Sequence, residues 1–309
     1  MSKMDSRSIE YFLRVVEFGS INKAAGDLNI SQPSLSRIVS ALEQEMGTQL
    51  FTRNQGGVQL TDTGRLLADR ARPLLAQFDL LKEQLGETSG QVAIGIPPSW
   101  QGVFTGGFIR RILTGAPGVM LRIHEGVSHV LREHMQAGLL DLCIVPFASS
   151  PLTGYTQTNL VREPLVLVGH PSSALDWSRP VSMASLDGLK LVLPGKPNAL
   201  RQLIEHSLQR QGWRFKLAMQ VDTLALCLNV ASQNLAHTVV PACAVSGLDA
   251  GQDICWAPVK GLYMTWALFE NEARTHSSAV KECRRLLLEE LQTSLASSQW
   301  LGAEPVKRH

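Results

Sequence analysis

Residues 20–53, SINKAAGDLNISQPSLSRIVSALEQEMGTQLFTR, decide how the rest of the chain is read. Ser20 is placed to cap a short helix, because the apolar residues Ile21, Ala24, Ala25 and Leu28 recur at i, i+3, i+4 and i+7. Asn29-Ile30-Ser31 breaks the period. Ser31 is then placed to cap a second helix, and Pro33 falls in its first turn, where a missing N–H is tolerated. This helix gathers Leu35, Ile38, Val39, Leu42 and Met46 on one face. The opposite face carries Gln32, Pro33, Ser36, Arg37, Ser40 and Gln44, small and polar, with acid only toward the far end at Glu43 and Glu45. Two short helices joined by a tight turn, the second with a slim hydrogen-bonding face, suit the major groove of DNA. Short side chains let the backbone approach the duplex, and Arg37 can reach a guanine edge or a phosphate. Two amphipathic helices inside an all-helical domain would show the same periodicity.

Further residues carry a resemblance that separates these readings. Gly19-Ser20, Ala24-Ala25, Leu28, Ser31-Gln32-Pro33-Ser34-Leu35-Ser36-Arg37, Leu42-Glu43, Gly47, Leu50-Phe51, Arg53, Gly57-Val58 and Leu60-Thr61 resemble the winged helix-turn-helix signature of the LysR-type transcriptional regulators. The match is dense here and continues more loosely down nearly the whole chain. It implies a ligand-responsive regulator that binds double-stranded promoter DNA as a homodimer or homotetramer. Gln32, Pro33, Ser34, Ser36 and Arg37 are then expected to contact DNA from the helix, with Arg53 holding phosphate from the wing. The family's wing carries a second basic residue just before the glycine-valine pair, and here that position is Gly56. Arg53 is left as the main charge of the wing.

Composition alone would not have suggested DNA. The chain has 309 residues, 44% of them apolar, with a net charge of +2, which bounds it to two or three ordinary soluble domains. In the amino-terminal part Lys3, Arg7, Arg14, Lys23, Arg37 and Arg53 are matched by Asp5, Glu10, Glu17, Asp27, Glu43 and Glu45. Affinity must come from the placement of a few cations and from several copies of the domain. The five cysteines are scattered without a Cys-x-x-Cys pair and read as reduced thiols of a cytoplasmic protein. No signal peptide or membrane-length apolar run is read, so no membrane partner is expected.

In chain order, Ile9, Phe12, Leu13 and Val16 predict a first helix, and residues 50–60 a hairpin wing turning at Asn54-Gln55-Gly56-Gly57. Thr61 is placed to cap a long helix to about Glu87. Leu67, Ala71, Leu74, Phe78, Leu81 and Leu85 give it a coiled-coil seam, and Pro73 is expected to kink it. The resemblance implies that this linker helix pairs antiparallel with that of a second subunit. After a hinge at Glu87-Thr88-Ser89-Gly90, strands and helices alternate, which predicts a mainly parallel sheet covered by helices. The expected fold is α/β, with an all-α winged helix-turn-helix amino-terminal domain and a two-lobed effector domain resembling periplasmic binding proteins. Its expected bounds are 1–60 for the DNA-binding domain, 61–88 for the linker helix and 91–300 for the effector-binding domain. Lobe I takes about 91–161 and 267–300, and lobe II about 162–266. Strands near 161–169 and 262–270 should cross between lobes, and the tail from Ala296 to Lys307-Arg308-His309 should fray.

Ligands of such folds sit between lobes, at carboxyl ends of strands and amino ends of helices, where free N–H groups favour anions. This predicts an effector set of Ser99, Trp100, Gln101, Ser128, His129, Phe147, Pro197, Asn198 and Thr223 around a small organic anion. Trp100 and Phe147 would supply an aromatic wall, which suits an aromatic anion. Asn234-Leu235-Ala236 replaces the family's Gly-Leu-Gly and would narrow the cleft nearby. Catalysis, a cofactor and a metal are not expected. No phosphate loop is present, Ser20-Ile21-Asn22-Lys23 matches Ser-x-x-Lys only as a helix cap, and His129 and His134 point different ways on one helix. Two alternatives stay on the page: a DNA-binding domain fused to a small-molecule enzyme, and a plain solute-binding protein. Steady turnover by the part beyond Gly90 would mark the first; the second needs export and no amino-terminal helices.

Overall fold

The computed structural model describes residues 5–54, 57–84, 90–149, 152–248, 253–297 and 299–306. The chain divides into two compact units, residues 1–86 and 87–309.

The first unit opens with α1 (Ser6–Phe18), whose first turn is capped by the Asp5 carboxylate accepting the Ser8 N–H, and which ends at Gly19 in the left-handed region. The helix-turn-helix follows as α2 (Ile21–Asp27) and α3 (Gln32–Met46), capped by Ser20 and Ser31. Asn29, at φ +53°, makes the turn between them, a conformation that asparagine tolerates. Phe12, Val15, Ala24, Leu35, Val39, Leu42, Leu50 and Phe51 interlock beneath these helices. Each fully buried large side chain there contributes about 1.5–3 kcal/mol.

The wing is β1 (Phe51–Asn54) paired antiparallel with β2 (Gly57–Leu60), Phe51 opposite Leu60 and Arg53 opposite Val58. Gln55 and Gly56 of the expected turn, and with them the missing wing cation, lie outside the described residues. The wing is tied to both neighbours. Glu43 Oε1 accepts the N–H groups of Leu50 (2.8 Å) and Phe51 (3.1 Å), and Gly19 accepts the Val58 N–H (3.1 Å).

The long helix α4 (Asp62–Gln84) is continuous through Pro73. Its seam is not uniform. Leu67 and Ala68 pack into the core of their own domain and Ala71 is buried, whereas Leu74 is 64% exposed. The amino-terminal part of the expected coiled-coil seam is therefore spent on the helix's own unit, because apolar residues beside the wing find a partner there first. The side chains of Phe78 and Leu81, together with Leu85 and residues 87–89 of the hinge, lie outside the described residues.

The second unit has two lobes joined by long strands. The first lobe contains β3 (Gln91–Ile96), β4 (Met120–Glu125) and β5 (Leu142–Pro146), with β3 parallel to both others. Helices α5 (Gly106–Gly115) and α6 (Ser128–Gln136) connect them, and α9 (Ser278–Ala296) closes the lobe. The second lobe contains β7 (Lys190–Leu193) parallel to β8 (Lys216–Gln220), then β9 (Thr238–Pro241), with α7 (Ala199–Gln209) and α8 (Leu224–Ser232). The connecting strands are β6 (Tyr155–Gly169) and β10 (Cys255–Asn271), antiparallel along their length, with a register shift between Pro258 and Tyr263. β10 also pairs with β5, and β6 with β9.

Three expectations change. The large sheet is mixed rather than mainly parallel, since both long strands run antiparallel to their neighbours. The strands expected near residues 161–169 and 262–270 begin earlier, at Tyr155 and Cys255. The front half of β6, YTQTNLV, is too polar to register as a strand by hydrophobic pattern. The tail does not fray at Ala296: Trp300 is buried, and β11 (Glu304–Pro305) pairs with β6 through Arg162 and Val161. An indole that reaches the core anchors the segment that carries it. Residues 307–309 lie outside the described residues.

Candidate DNA interface and effector cleft

On α3, Leu35, Val39 and Leu42 are buried against the core, so the helix can present only its other face. That face forms a shallow surface concavity lined by Gln32, Pro33, Ser36, Arg37, Ser40, Ala41 and Gln44. Every lining side chain is neutral or basic, and Arg37 stands exposed at its middle. Ser34 is exposed but turned to local work: its N–H and Oγ both bond Ser31 Oγ, at 3.4 and 2.8 Å, within the cap. Arg53 is carried by the first strand of the wing, opposite Val58. Sequence reading had no signal for the role of Glu43, whose carboxylate sets the wing against α3. The confinement of acid on this helix to its far end, at Glu43 and Glu45, was the available clue.

The second site is a cleft between the lobes of the second unit, about 670 Å³ including its open mouth. The first lobe supplies Pro97, Pro98, Ser99, Val127, Ser128, Val145 and Pro146. The second supplies Pro194, Asn198, Leu200, Asp222, Leu224, Cys227, Thr238, Val240 and Pro241, while Met264 and Trp266 of β10 complete it. Of the expected effector set, Ser99, Ser128 and Asn198 line this cleft. They do so from three loops distant in sequence, at the ends of β3, β4 and β7.

The other six do not line it. Trp100 has no exposed surface; it packs edge-on against Phe104, Trp266 and Trp300 at ring distances of 5.1, 5.7 and 4.8 Å, so it is core. The aromatic side chain of the cleft is Trp266 instead of the expected Trp100 and Phe147, Phe147 being 48% exposed outside the lining. Gln101, Pro197 and Thr223 are exposed outside the cleft, and His129 is half-buried beyond the lining Ser128. At Thr223 the chain turns so that Asp222 and Leu224 face inward in its place.

Helix amino termini do converge here, but they are not equivalent. α7 is already satisfied: Asn198 Oδ1 accepts from Leu200 (2.9 Å) and Arg201 (3.4 Å). Ser128 Oγ accepts the Ala199 N–H across the cleft at 3.1 Å, linking the lobes directly. α6 and α8 have no side-chain cap. Open N–H groups at a helix start attract negative charge.

Beneath the cleft lies a group that sequence reading missed. Glu163 is completely buried on β6. Its Oε1 accepts from Trp266 Nε1, and its Oε2 from the Cys243 N–H (2.7 Å) and Trp300 Nε1 (3.0 Å). Burial pushes this carboxyl above its ordinary range, while the three donors pull the other way. Donors on both oxygens are the pattern of a carboxylate. The same burial pushes the Cys143, Cys227, Cys243 and Cys283 thiols up, so none of them is a ready thiolate. All five cysteines are free.

No helix among the described residues is long and apolar enough to cross a membrane, and among them no cluster of three or more metal-binding side chains occurs.

Comparison with known proteins assigns both units to one family. Residues 6–65 match the family model for bacterial regulatory helix-turn-helix proteins of the lysR family, and residues 85–292 match the LysR substrate binding domain. The nitrogen assimilation regulatory protein nac of Klebsiella aerogenes is 29% identical over 250 residues, 79% of this chain and 81% of that one. A full-length OxyR from Pseudomonas aeruginosa superposes with a TM-score of 0.75 at 18% identity, covering 100% of both chains. Full-length CbnR, solved in complex with its target DNA, has a TM-score of 0.63 at 21% identity, covering 94% of this chain and 100% of that one. With family models matched over both units, the chain belongs to the LysR-type transcriptional regulators, a DNA-binding helix-turn-helix domain followed by an effector-binding domain, and is not an enzyme.

Proposed function

We propose that this regulator acts in the cytoplasm, reads promoter DNA with the exposed face of α3, and takes a small organic compound bearing an anionic group in the cleft between its lobes. The observation that carries the DNA reading is the acid-free concavity around Arg37. In this reading Gln32, Pro33, Ser36 and Arg37 meet base edges, Ser34 orders the helix start, and Arg53 holds phosphate. Arg37→Ala is expected to cost about 1–3 kcal/mol on specific DNA, roughly a 5- to 150-fold loss of affinity. A gel-shift titration on a fragment selected from a random-sequence library measures it; unchanged affinity would move the interface off α3.

The effector reading rests on the cleft between Ser99, Ser128 and Asn198, with the uncapped start of α6 beside it. Residues 91–161 and 267–300 act as one lobe and 162–266 as the other, closing on the ligand. Ligand would then change the arrangement of subunits, and so the spacing of paired DNA-binding domains, by a coupling of about 1–3 kcal/mol.

The assembly is a homotetramer built from dimers. Leu66 and Leu74 stand exposed on α4, and in the second unit Leu113, Met120, Leu217 and Met219 stand exposed on α5 and on the edge strands β4 and β8. Exposed apolar residues on unpaired sheet edges mark surfaces that other chains cover. Light scattering at micromolar concentration should give a tetramer, with Met219→Lys reducing it to a dimer and Leu74→Glu disrupting the linker pairing. A monomeric wild type would overturn this.

A further inference from the structure

The polar side chains of the cleft are mostly spent within the protein. Ser99 bonds the Cys243 thiol, Ser128 and Asn198 accept from the start of α7, and Asp222 Oδ1 accepts the Gly195 N–H at 2.9 Å. Thr238 differs. Its side chain is fully buried, it lines the cleft, and its Oγ1 has no nitrogen or oxygen partner among the described residues, only the weakly bonding Cys227 thiol beside it. Native structures seldom leave a buried hydroxyl without a good partner, and a bound ligand is one way to satisfy it.

Thr238 bonds the Cys227 thiol, and the Asp222 carboxylate acts on the same thiol through its charge, so the two share one end of the cleft, on the second lobe. Asp222 is the charged residue among those lining the cleft, and it is an acid. Part of its role is local, since it also precedes α8, where a carboxylate is favoured by the helix dipole. That role leaves the Thr238 hydroxyl unexplained. At the first lobe the polarity is opposite: Val127 and Ser128 bring the uncapped first turn of α6 to the cleft. Between the two ends the lining is apolar, from Val145, Pro146, Val240, Pro241, Met264 and Trp266.

An anion alone would satisfy α6 and leave Asp222 facing nothing but like charge. A cation alone would satisfy Asp222 and leave α6 open. Resting on the reading of this cleft as the effector site, we propose that its ligand is a zwitterion, an amino acid with an apolar side chain. The carboxylate sits at the α6 amino terminus, and the ammonium donates to Asp222 and to the Thr238 hydroxyl. The apolar side chain lies along Met264 and Trp266.

The test uses the full chain and titration calorimetry with L-leucine, L-isoleucine, L-methionine and L-phenylalanine. For leucine, 4-methylpentanoate is the acid without the amine and 3-methylbutylamine the amine without the acid. At least one amino acid should bind saturably, and for leucine both truncated probes should bind at least tenfold more weakly. Asp222→Asn should weaken the amino acid at least tenfold while leaving 4-methylpentanoate unchanged. Thr238→Val, which removes this hydroxyl, should raise the melting temperature of the unliganded protein and still weaken the amino acid. Equal binding of 4-methylpentanoate and leucine, or indifference to Asp222→Asn, would overturn the zwitterion while leaving an acid effector in the cleft. Binding by none of the probes would also overturn it. The effector reading of the cleft would fall separately, if a ligand found by broad metabolite screening still bound after Ser128→Trp had filled the cleft.

Discussion

Glu163→Leu is expected to be the most damaging single change in the effector-binding unit. Leucine nearly conserves volume, so little cavity forms, and the loss reports on the N–H groups of Trp266, Trp300 and Cys243 left without an acceptor. Each orphaned buried donor costs about 1–3 kcal/mol, partly offset because no charge is then buried, so the net is on the order of 3–5 kcal/mol. Scanning calorimetry should show a drop of roughly 6–12 °C in the transition of this unit. Glu163→Gln keeps one acceptor and should fall between. The pH dependence has a definite sign. Because burial raises the folded-state pKa above the ordinary 4.5, this group's contribution is complete below 4.5 and is lost as pH rises through the folded-state value. The gap between wild type and Glu163→Gln should therefore narrow on going up from pH 4.5. A leucine variant as stable as wild type would mean that the carboxylate pins nothing.

Gly64→Ala carries the largest expected effect in the DNA-binding unit, and its sign is diagnostic. Within a helix, alanine for glycine is worth about 0.5–1 kcal/mol of added stability. Here a Cβ would stand 2.1 Å from the Leu50 carbonyl oxygen and 2.9 Å from Leu60 Cδ2. The start of α4 is fixed in that position: Thr61 Oγ1 accepts the Gly64 N–H at 2.9 Å, and Leu50 accepts the Thr61 N–H at 3.0 Å. The helix must back away from the wing, at about 1–3 kcal/mol or more. The melting midpoint of this unit should fall by at least roughly 4 °C, and DNA affinity should fall with it, since the wing rests on α4. A rise in the midpoint would show that helix propensity, not the close approach to the wing, governs the site.

How far the sequence reached differs between the two sites, for a physical reason. Around α3 everything needed is local. Ser20 and Ser31 cap successive helices, and the period of Leu35, Val39 and Leu42 dictates which face is buried. The face left over is then the one with Arg37, and contiguous residues suffice to read it.

The cleft between the lobes is built from residues that sequence keeps far apart, and there period and propensity say little. Ser99, Ser128 and Asn198 were reachable because each follows a strand in an α/β alternation. Trp100 and Phe147 look equally suitable by type. Only the packing of Trp100 against Trp266 and Trp300, and the turn that sends Phe147 outward after Pro146, separates them from the cleft. Glu163 reads as an ordinary polar break before the apolar run PLVLVG, and Trp300 as part of a loose tail. Their meeting depends on two long antiparallel strands and a returning carboxyl terminus, contacts spanning more than a hundred residues. Thus the sequence alone determined the family, through contiguous motif residues, and the helix caps and exposed face of α3, through short-range periodicity. The end of the cleft shared by Asp222 and Thr238, the buried Glu163 and the close approach at Gly64 were decided by tertiary structure, because each arises where distant segments come within van der Waals contact or hydrogen-bond reach.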